Sequence, residues 1–316
     1  MLDDRQACDD VLRCPKTGRQ LRPQGPDRLV AEPEGDDAPT YPVVDGVPIL
    51  VDFESSVLDR DKLIKSRAES VLHRPARTGA RSIVKRLLAP PSAVTARNVE
   101  RLIKELETRP EPARILVVGG GSVGQGMQPL YDHPRLRLTG FDIFATAYTQ
   151  FVADAHKIPV ADRSFDAVVI QAVLEHVLQP DQVVGEIWRV LKDDGLVYAE
   201  TPFMQHVHEG AYDFTRFTES GHRNLFRRFG LIASGQTANA GTQLVWAIEY
   251  FSRGLFRSVA VGKAAKLAFF WLQYFDRMIP EAHAIDSASG GFFLGRKAET
   301  ELSPKEIIAH YRGARH

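Results

Sequence analysis

The sequence has few of the features that would place it in a specialised class of protein. It contains two cysteines, Cys8 and Cys14, in 316 residues, too few for a disulfide framework or, alone, for a four-ligand zinc site. Lys+Arg and Asp+Glu number 40 each, and this zero net charge disfavours a nucleic-acid partner. No apolar run reaches the ~18 residues of a membrane-spanning helix. The acidic start has no apolar region typical of a secretory signal, so we expect a cytoplasmic protein.

From Arg114 onward, apolar strand patterns alternate with amphipathic helix patterns. Such alternation predicts an α/β fold, here a Rossmann-like, doubly wound sheet of seven strands. The predicted helices cover 182–192, ended by the turn at 193–195, and 218–229, capped by Thr218. The predicted strands cover 114–118, 136–142, 151–154, 165–171, 196–201, 231–237 and 292–297.

Other segments flank this predicted domain, which we place at 111–300. Residues 1–53 form a small accessory unit rich in turns, 54–110 a helical linker and 301–316 a tail. Residues 241–289 form a helical insertion rich in aromatic residues. We expect a substrate lid or the face of a homodimer there. The alternative is peripheral membrane contact, because basic residues accompany the aromatic ones.

A glycine motif follows the first predicted strand directly. It carries Gly119, Gly121 and Gly124, and Asp142 ends the next strand eighteen residues later. Glycines allow a ligand close to the backbone, and a carboxylate at that place can accept both hydroxyls of a ribose. The pattern predicts a nucleoside-containing cofactor, and the spacing alone leaves S-adenosylmethionine and a nicotinamide dinucleotide open. A glycine turn that only packs a helix on a strand is the structural alternative.

The segment from Arg114 to Phe229 resembles the class I S-adenosylmethionine-dependent methyltransferases, in particular the type 11 group. The resemblance is carried by Val152-Ala153-Asp154-Ala155, Ser164-Phe165-Asp166-Ala167-Val168-Val169, Val173-Leu174-Glu175-His176-Val177, Glu186-Ile187-Trp188-Arg189-Val190-Leu191-Lys192 and Asp194-Gly195. It implies S-adenosylmethionine as cofactor, with the glycine loop that includes Gly124 around it. By the same resemblance, Gly119 and Gly121 line the methionine moiety, Asp142 holds the ribose, Asp154 and Ala155 meet the adenine, and Gln171 lies near the sulfonium.

One departure concerns the position two residues before the first glycine. The family usually has an acid there, and this sequence has Val117. A protein that binds the cofactor without catalysing methyl transfer therefore stays an alternative, and a nicotinamide-dependent oxidoreductase is a more distant one.

Titratable residues follow the fourth and fifth predicted strands, where a catalytic base is expected. His176 is one candidate. The later segment 202–218 resembles a subset of type 11 proteins connected with glycan or envelope biosynthesis, which implies a small-molecule or glycan acceptor, methylated on a hydroxyl oxygen. There His208 is the candidate base, Asp213 would orient it or bind a sugar hydroxyl, and Arg216 would hold a substrate anion. An ion pair between Asp213 and Arg216 that only pins the loop is the alternative.

No metal site is predicted. His206, His208 and Glu209 could form part of one, but no distant third ligand is evident. Residues 11–52 resemble the zinc-ribbon-like family that activates transfer-RNA and protein methyltransferases, through Leu12-Arg13-Cys14-Pro15 and the segment from Tyr41 to Leu50. Zinc-binding members have further cysteines, whereas Thr17 occupies the second position of the C-x-x-C motif here. We therefore expect a metal-free unit that packs on the catalytic domain.

Overall fold

The computed structural model describes residues 2, 8–33, 35, 37–65 and 93–314. Its described strands form one mixed sheet in the order β1-β2-β3-β4-β7-β6-β5-β8-β9-β11-β10. The strands are β1 (Leu21–Pro23), β2 (Arg28–Ala31), β3 (Thr40–Val44), β4 (Val47–Leu50), β5 (Ala113–Val118), β6 (Leu136–Asp142), β7 (Phe151–Ala153), β8 (Phe165–Gln171), β9 (Leu191–Pro202), β10 (Phe229–Ala238) and β11 (Gly290–Lys297).

Helices connect these strands and cover both faces of the sheet. The α-helices are α1 (Arg60–Lys65), α2 (Ala93–Glu107), α3 (Gln128–Asp132), α4 (Pro180–Val190), α5 (Glu219–Leu225), α6 (Ala240–Leu255), α7 (Val259–Phe269), α8 (Glu281–Ala284) and α9 (Pro304–Ala309). Short 3₁₀ segments cover Ala155–Lys157, Leu174–His176, Gly210–Tyr212 and Phe270–Met278.

The central strand β5 shows how the two faces are built. It pairs in parallel with β6 on one side and with β8 on the other. Leu116 and Val118 point into the core that contains α4, whereas Ile115 points into the core that contains α2. Because neighbouring strand residues face opposite sides, this alternation buries β5 on both faces, and it confirms the α/β prediction.

The predicted count of seven strands is wrong, because the described residues form a sheet of eleven strands. Seven of them, β5 to β11, correspond to the predicted seven, and the accessory unit adds β1 to β4. β4 pairs in parallel with β7, with Ile49 opposite Val152 and Leu50 opposite Ala153. An unpaired edge strand exposes a row of backbone donors and acceptors, and β4 covers that edge.

Both predicted helices end earlier in the structure than the sequence suggested. α4 ends at Val190, and the turn residues Asp193 and Asp194 lie inside β9. The strand begins early because Leu191 is fully buried opposite Phe165, and an irregularity in the β8–β9 register accommodates the extra residues.

The second predicted helix, 218–229, corresponds to α5 alone, and β10 begins at its predicted end. The predicted Thr218 cap is confirmed, since its hydroxyl accepts from the backbone N–H of Gly221 at 3.1 Å.

The insertion between β10 and β11 consists of α6, α7, the 3₁₀ segment at 270–278 and α8. α6 packs against α7 and against this 3₁₀ segment. Among the described residues, no helix combines the length and the apolar character needed to cross a membrane. In the predicted linker 54–110, α1 and α2 are helical, and residues 66–92 lie outside the described part.

Replacing Ile49 tests whether the accessory unit unfolds together with the main sheet. Its side chain is fully buried at the β4–β7 junction. Because the cavity left by Ile49→Ala would lie inside the shared sheet, we expect a loss of about 2–5 kcal/mol in the free energy of unfolding. Denaturant titration should show this loss in one cooperative transition.

The control is Val57→Ala, since Val57 is 56% exposed and should change stability by less than about 0.5 kcal/mol. A separate early transition that alone responds to Ile49→Ala would instead mean that residues 1–53 fold independently.

Candidate functional site

The glycine loop lies at the carboxyl end of β5, where other side chains already fill the space around it. Gly119 has a φ of +72°, and a Cβ there would lie 2.2 Å from Cγ2 of Val173. A Cβ on Gly121 would lie 2.6 Å from Oδ2 of Asp142. A Cβ at either position would require these neighbouring side chains to move, so glycine at both positions lets the loop backbone pack closely against them.

Asp142, at the end of β6, holds this loop in place. Its Oδ2 accepts from the backbone N–H of Gly121 at 2.9 Å, and its Oδ1 accepts from the backbone N–H of Ile143 at 2.7 Å. The structure thus brings together the first two glycines and the acid that the sequence placed on the neighbouring strand. Each carboxylate oxygen has a further lone pair, so Asp142 can still accept from a ribose hydroxyl.

Asp154 and Ala155 follow β7 on the same edge of the sheet. Asp154 accepts from the backbone N–H and the ring Nδ1 of His156, at 3.0 and 2.6 Å, and from the hydroxyl of Ser56 at 2.5 Å. Burial opposes ionisation of this carboxyl, but the hydrogen bonds from His156 and Ser56 outweigh it and lower the pKa of Asp154. Ser56 belongs to the segment after β4, and its contact with this site was not predicted.

Gln171, at the end of β8, is held by a polar network that was not predicted from the sequence. Its side-chain amide donates to Oε2 of Glu200 at 2.6 Å, and its Oε1 lies 1.9 Å from where a Cβ on Gly124 would be. Glu200 also accepts from the hydroxyls of Thr95 and Tyr198, at 2.6 and 2.5 Å. An acid near the carboxyl end of the next strand, β9, was the available signal for Glu200. The side chain of Gln171 therefore has a defined position beside the glycine loop.

A second polar group lies after β8. Glu175 is 1% exposed, and among the described residues neither of its carboxylate oxygens has a hydrogen-bond partner. Burial raises the pKa of Glu175 to about 7. Its Oε1 lies 3.6 Å from Nε2 of His176 and 4.0 Å from Nε2 of His208, and the two rings meet edge to face. His208 comes from a distant loop, so sequence spacing could not indicate this group.

The loop after β9 orients His208 through Asp213. The Asp213 carboxylate accepts from the backbone N–H of His208 at 2.9 Å, lies 3.3 Å from its Nδ1, and forms a two-pronged ion pair with Arg216. These hydrogen bonds, those from Arg216 foremost, hold the pKa of Asp213 well below its usual range. Arg216 also donates to the backbone oxygens of Gln205 and His206. The pinned-loop alternative accounts for these contacts, and anion binding by Arg216 remains a prediction.

Comparison with known proteins bears on the centre of the chain. Residues 116–199 match the family model of a methyltransferase domain. A malonyl-[acyl-carrier protein] O-methyltransferase of Geobacter sulfurreducens is 32% identical over an alignment of 119 residues. The match covers 33% of this chain and 45% of that protein. The chain thus matches less than half the length of this relative. The family match confirms a methyltransferase domain over residues 116–199.

Two solved structures show more distant likenesses. Phosphoethanolamine N-methyltransferase 2 of Haemonchus contortus, in complex with S-adenosyl-L-methionine, has 16% identity and a TM-score of 0.40, over 71% of this chain and 61% of that one. The 1,6-didemethyltoxoflavin-N1-methyltransferase of Burkholderia thailandensis has 11% identity and a TM-score of 0.41, over 88% and 99%. These likenesses are too distant to carry a conclusion about the acceptor.

A substitution in the glycine loop tests whether its shape serves the cofactor. A methyl group at position 124 must displace Gln171 and break its hydrogen bond to Glu200. We expect Gly124→Ala to lower S-adenosylmethionine affinity about tenfold or more, and to cost about 1–3 kcal/mol of stability. Calorimetric titration and denaturant unfolding measure the two effects.

Gly185→Ala is the matched control. Gly185 lies inside α4, and a Cβ there would have no neighbour within 4 Å. Alanine in a helix interior should raise stability by about 0.5–1 kcal/mol and leave cofactor affinity unchanged. Equal affinity in Gly124→Ala and the native protein would remove the loop from the cofactor site.

Proposed function

We propose that this protein is an S-adenosylmethionine-dependent methyltransferase that methylates a hydroxyl oxygen of a small molecule or glycan. One observation carries the acceptor-side proposal: the oriented His208–Asp213 pair lies in the loop after β9, close to the end of β8. The matched methyltransferase domain supplies the cofactor side.

On the cofactor side, we assign the roles that the resemblance implied. Gly119 and Gly121 line the methionine moiety, Asp142 accepts the ribose hydroxyls, and Gln171 lies near the sulfonium. Asp154 accepts from the adenine amino group beside Ala155. The contacts support this set, because the loop, Asp142 and Gln171 already hold one another in defined positions.

On the acceptor side, methyl transfer requires an oxygen in line with the sulfonium and a base for its proton. The Nδ1 of His208 faces the Asp213 carboxylate and the backbone oxygen of His206, which only accept hydrogen bonds. The hydrogen of a neutral ring is thus expected on Nδ1, which leaves a lone pair on Nε2. As the C–S bond breaks and the C–O bond forms, the hydroxyl proton passes to Nε2 of His208. His176 lies edge to face against this ring and keeps it in place.

The cofactor assignment is tested by Asp142→Asn. Loss of the charge weakens hydrogen bonds to the ribose, so we expect S-adenosylmethionine and S-adenosylhomocysteine to bind about 10–100-fold more weakly, by calorimetric titration. Asp61→Asn, an exposed carboxylate on α1, is the control and should bind as the native protein does. Binding of NAD(H) in place of both would contradict the methyltransferase proposal.

The base is tested by His208→Asn in an assay against a panel of hydroxyl acceptors. Removing a general base should lower kcat about 10²–10⁴-fold while cofactor affinity stays within a factor of two or so. Undiminished turnover would exclude His208 as the base. Cofactor binding without turnover of any acceptor by the native protein would favour the non-catalytic alternative, consistent with Val117 in the place of the usual acid.

The insertion supports a further proposal about the partner: an anionic membrane surface or a lipid-linked acceptor. Large apolar side chains on α6, α7 and the 3₁₀ segment are exposed, including Phe251 at 69% and Met278 at 75%. Single exposed apolar residues are ordinary, whereas a contiguous apolar patch marks an interaction surface, and several exposed apolar side chains lie on this one insertion. Arg253 on α6, Arg257 in the turn that follows and Lys263 on α7 could meet anionic head groups.

Cosedimentation with vesicles tests this surface. We expect binding to anionic vesicles at low salt and weaker binding to neutral vesicles. A Phe251→Ser, Trp271→Ser double variant should bind several-fold more weakly, because it removes apolar area that the bilayer would bury. Absence of cosedimentation would remove the membrane proposal. A concentration-dependent dimer in light scattering, lost in the same variant, would assign the patch to a homodimer instead.

A further inference from the structure

The buried carboxylate of Glu175 is the starting point for a second type of site. It is 1% exposed, yet neither oxygen accepts a hydrogen bond from any described residue. A carboxylate out of water without a partner is strongly unfavourable, so something of positive charge or a donor is expected beside it. The nearest side-chain nitrogens are the Nε2 atoms of His176 and His208, at 3.6 and 4.0 Å.

The hydrogen bonds of the two imidazole rings identify what these Nε2 atoms offer. The Nδ1 of His176 lies 2.7 Å from the backbone oxygen of Tyr212. The Nδ1 of His208 lies 3.3 Å from both Oδ2 of Asp213 and the backbone oxygen of His206. All these partners are acceptors, so each Nδ1 carries the hydrogen of a neutral ring. Both Nε2 atoms therefore present lone pairs toward Glu175.

When the Glu175 carboxyl is ionised, three acceptors meet at this point, and none of them supplies a donor to the others. One ligand atom each of Glu175, His176 and His208 lies within 4.8 Å of the other two, and the two Nε2 atoms are 3.6 and 4.0 Å from Oε1 of Glu175. An ion bound tetrahedrally at the usual ~2.0–2.2 Å from nitrogen and oxygen ligands holds them about 3.4 Å apart. The two imidazole side chains are partly exposed, at 21% and 28%, and they would have to rotate toward Glu175 to close on the ion.

We propose that Glu175, His176 and His208 form a binding site for a divalent transition-metal ion, with zinc as the ion that fits best. Two imidazoles and one carboxylate are a ligand set for zinc with one coordination position left open. Imidazole ligands disfavour magnesium and calcium, which prefer oxygen. The half-exposed His208 leaves the open position on the solvent side of the group.

The surroundings of the ligands match those of built metal sites. A histidine ligand usually donates its other ring N–H to a carboxylate or a backbone oxygen, as His208 does to Asp213 and His176 does to Tyr212. The loop that carries His208 is fixed to Glu175 itself, because the backbone N–H of Phe214 donates to the Glu175 backbone oxygen at 2.8 Å. The distance between the two ligand segments is thus set by the fold.

The use of the ion rests on the proposed function, whereas its binding does not. An ion on His208 would take the lone pair that otherwise accepts the proton. In the loaded protein the ion would bind the acceptor hydroxyl at its open position and lower the pKa of that hydroxyl, and solvent would take the proton. Methyl transfer would still break the C–S bond and form the C–O bond, as it does without the ion.

The test is a zinc titration of the full chain after dialysis against a chelator, at neutral pH and in competition with a chromophoric zinc chelator. We expect one equivalent of tightly bound zinc per chain. Glu175→Gln, of nearly the same shape, and His208→Ala should each weaken the affinity at least about 100-fold. Asp213→Asn should weaken it about 10–100-fold, because it removes the orienting carboxylate.

The matched controls are His206→Ala and Glu209→Gln, which change neighbouring residues outside the proposed ligand set. Both should keep native zinc affinity, and X-ray absorption of the loaded protein should show two imidazoles and one carboxylate. Equal zinc affinity in the native protein and Glu175→Gln would overturn the proposal, and so would a loss confined to the control variants. Titration of S-adenosylmethionine into each variant checks its fold. Zinc binding without cofactor binding would refute the proposed function alone.

Discussion

The parallel pairing of β5 with β6 and β8 is the constraint on which the rest of the structure depends. Because these strands run in one direction, their carboxyl ends meet at one edge, and every candidate cofactor residue after them is delivered to that edge. Because both faces are packed, the pairing register of a strand has little freedom to shift. A slip of β5 by one residue would point Ile115 and Leu116 into each other's cores. The positions of Gly119, Asp142 and Gln171 are thus consequences of sheet register.

The cofactor side was largely predictable because its signals are local. A strand that ends in glycines and a neighbouring strand that ends in Asp142 are short patterns, and the hydrogen bond from Gly121 to Asp142 follows from placing the two strands side by side. The boundaries of elements were less predictable. The turn residues 193–195 favoured a stop after the helix, but burial of Leu191 opposite Phe165 outweighed that local preference and made them part of β9.

The acceptor side could not be predicted in the same way, since its contacts join residues far apart in the chain. His208 lies 4.0 Å from Glu175, although the two residues come from segments that follow different strands. Periodicity shows which residues are buried, but it does not show which loop folds over which strand end. The eleven-strand sheet illustrates the same limit, because nothing local in β4 indicated that its partner would be β7.

The hydrogen bond from Ser56 to Asp154 joins the segment after the accessory strands to the carboxylate assigned to adenine. Events at the two places are therefore energetically coupled. A change in how β4 packs on β7 would move Ser56 relative to Asp154 and so change the hydrogen bonds available to that carboxylate. By linkage, a ligand bound to the Asp154 carboxylate would change the packing of β4 on β7 by the same free energy. A partner bound to the accessory unit could therefore raise or lower the residence time of the cofactor without contacting the glycine loop.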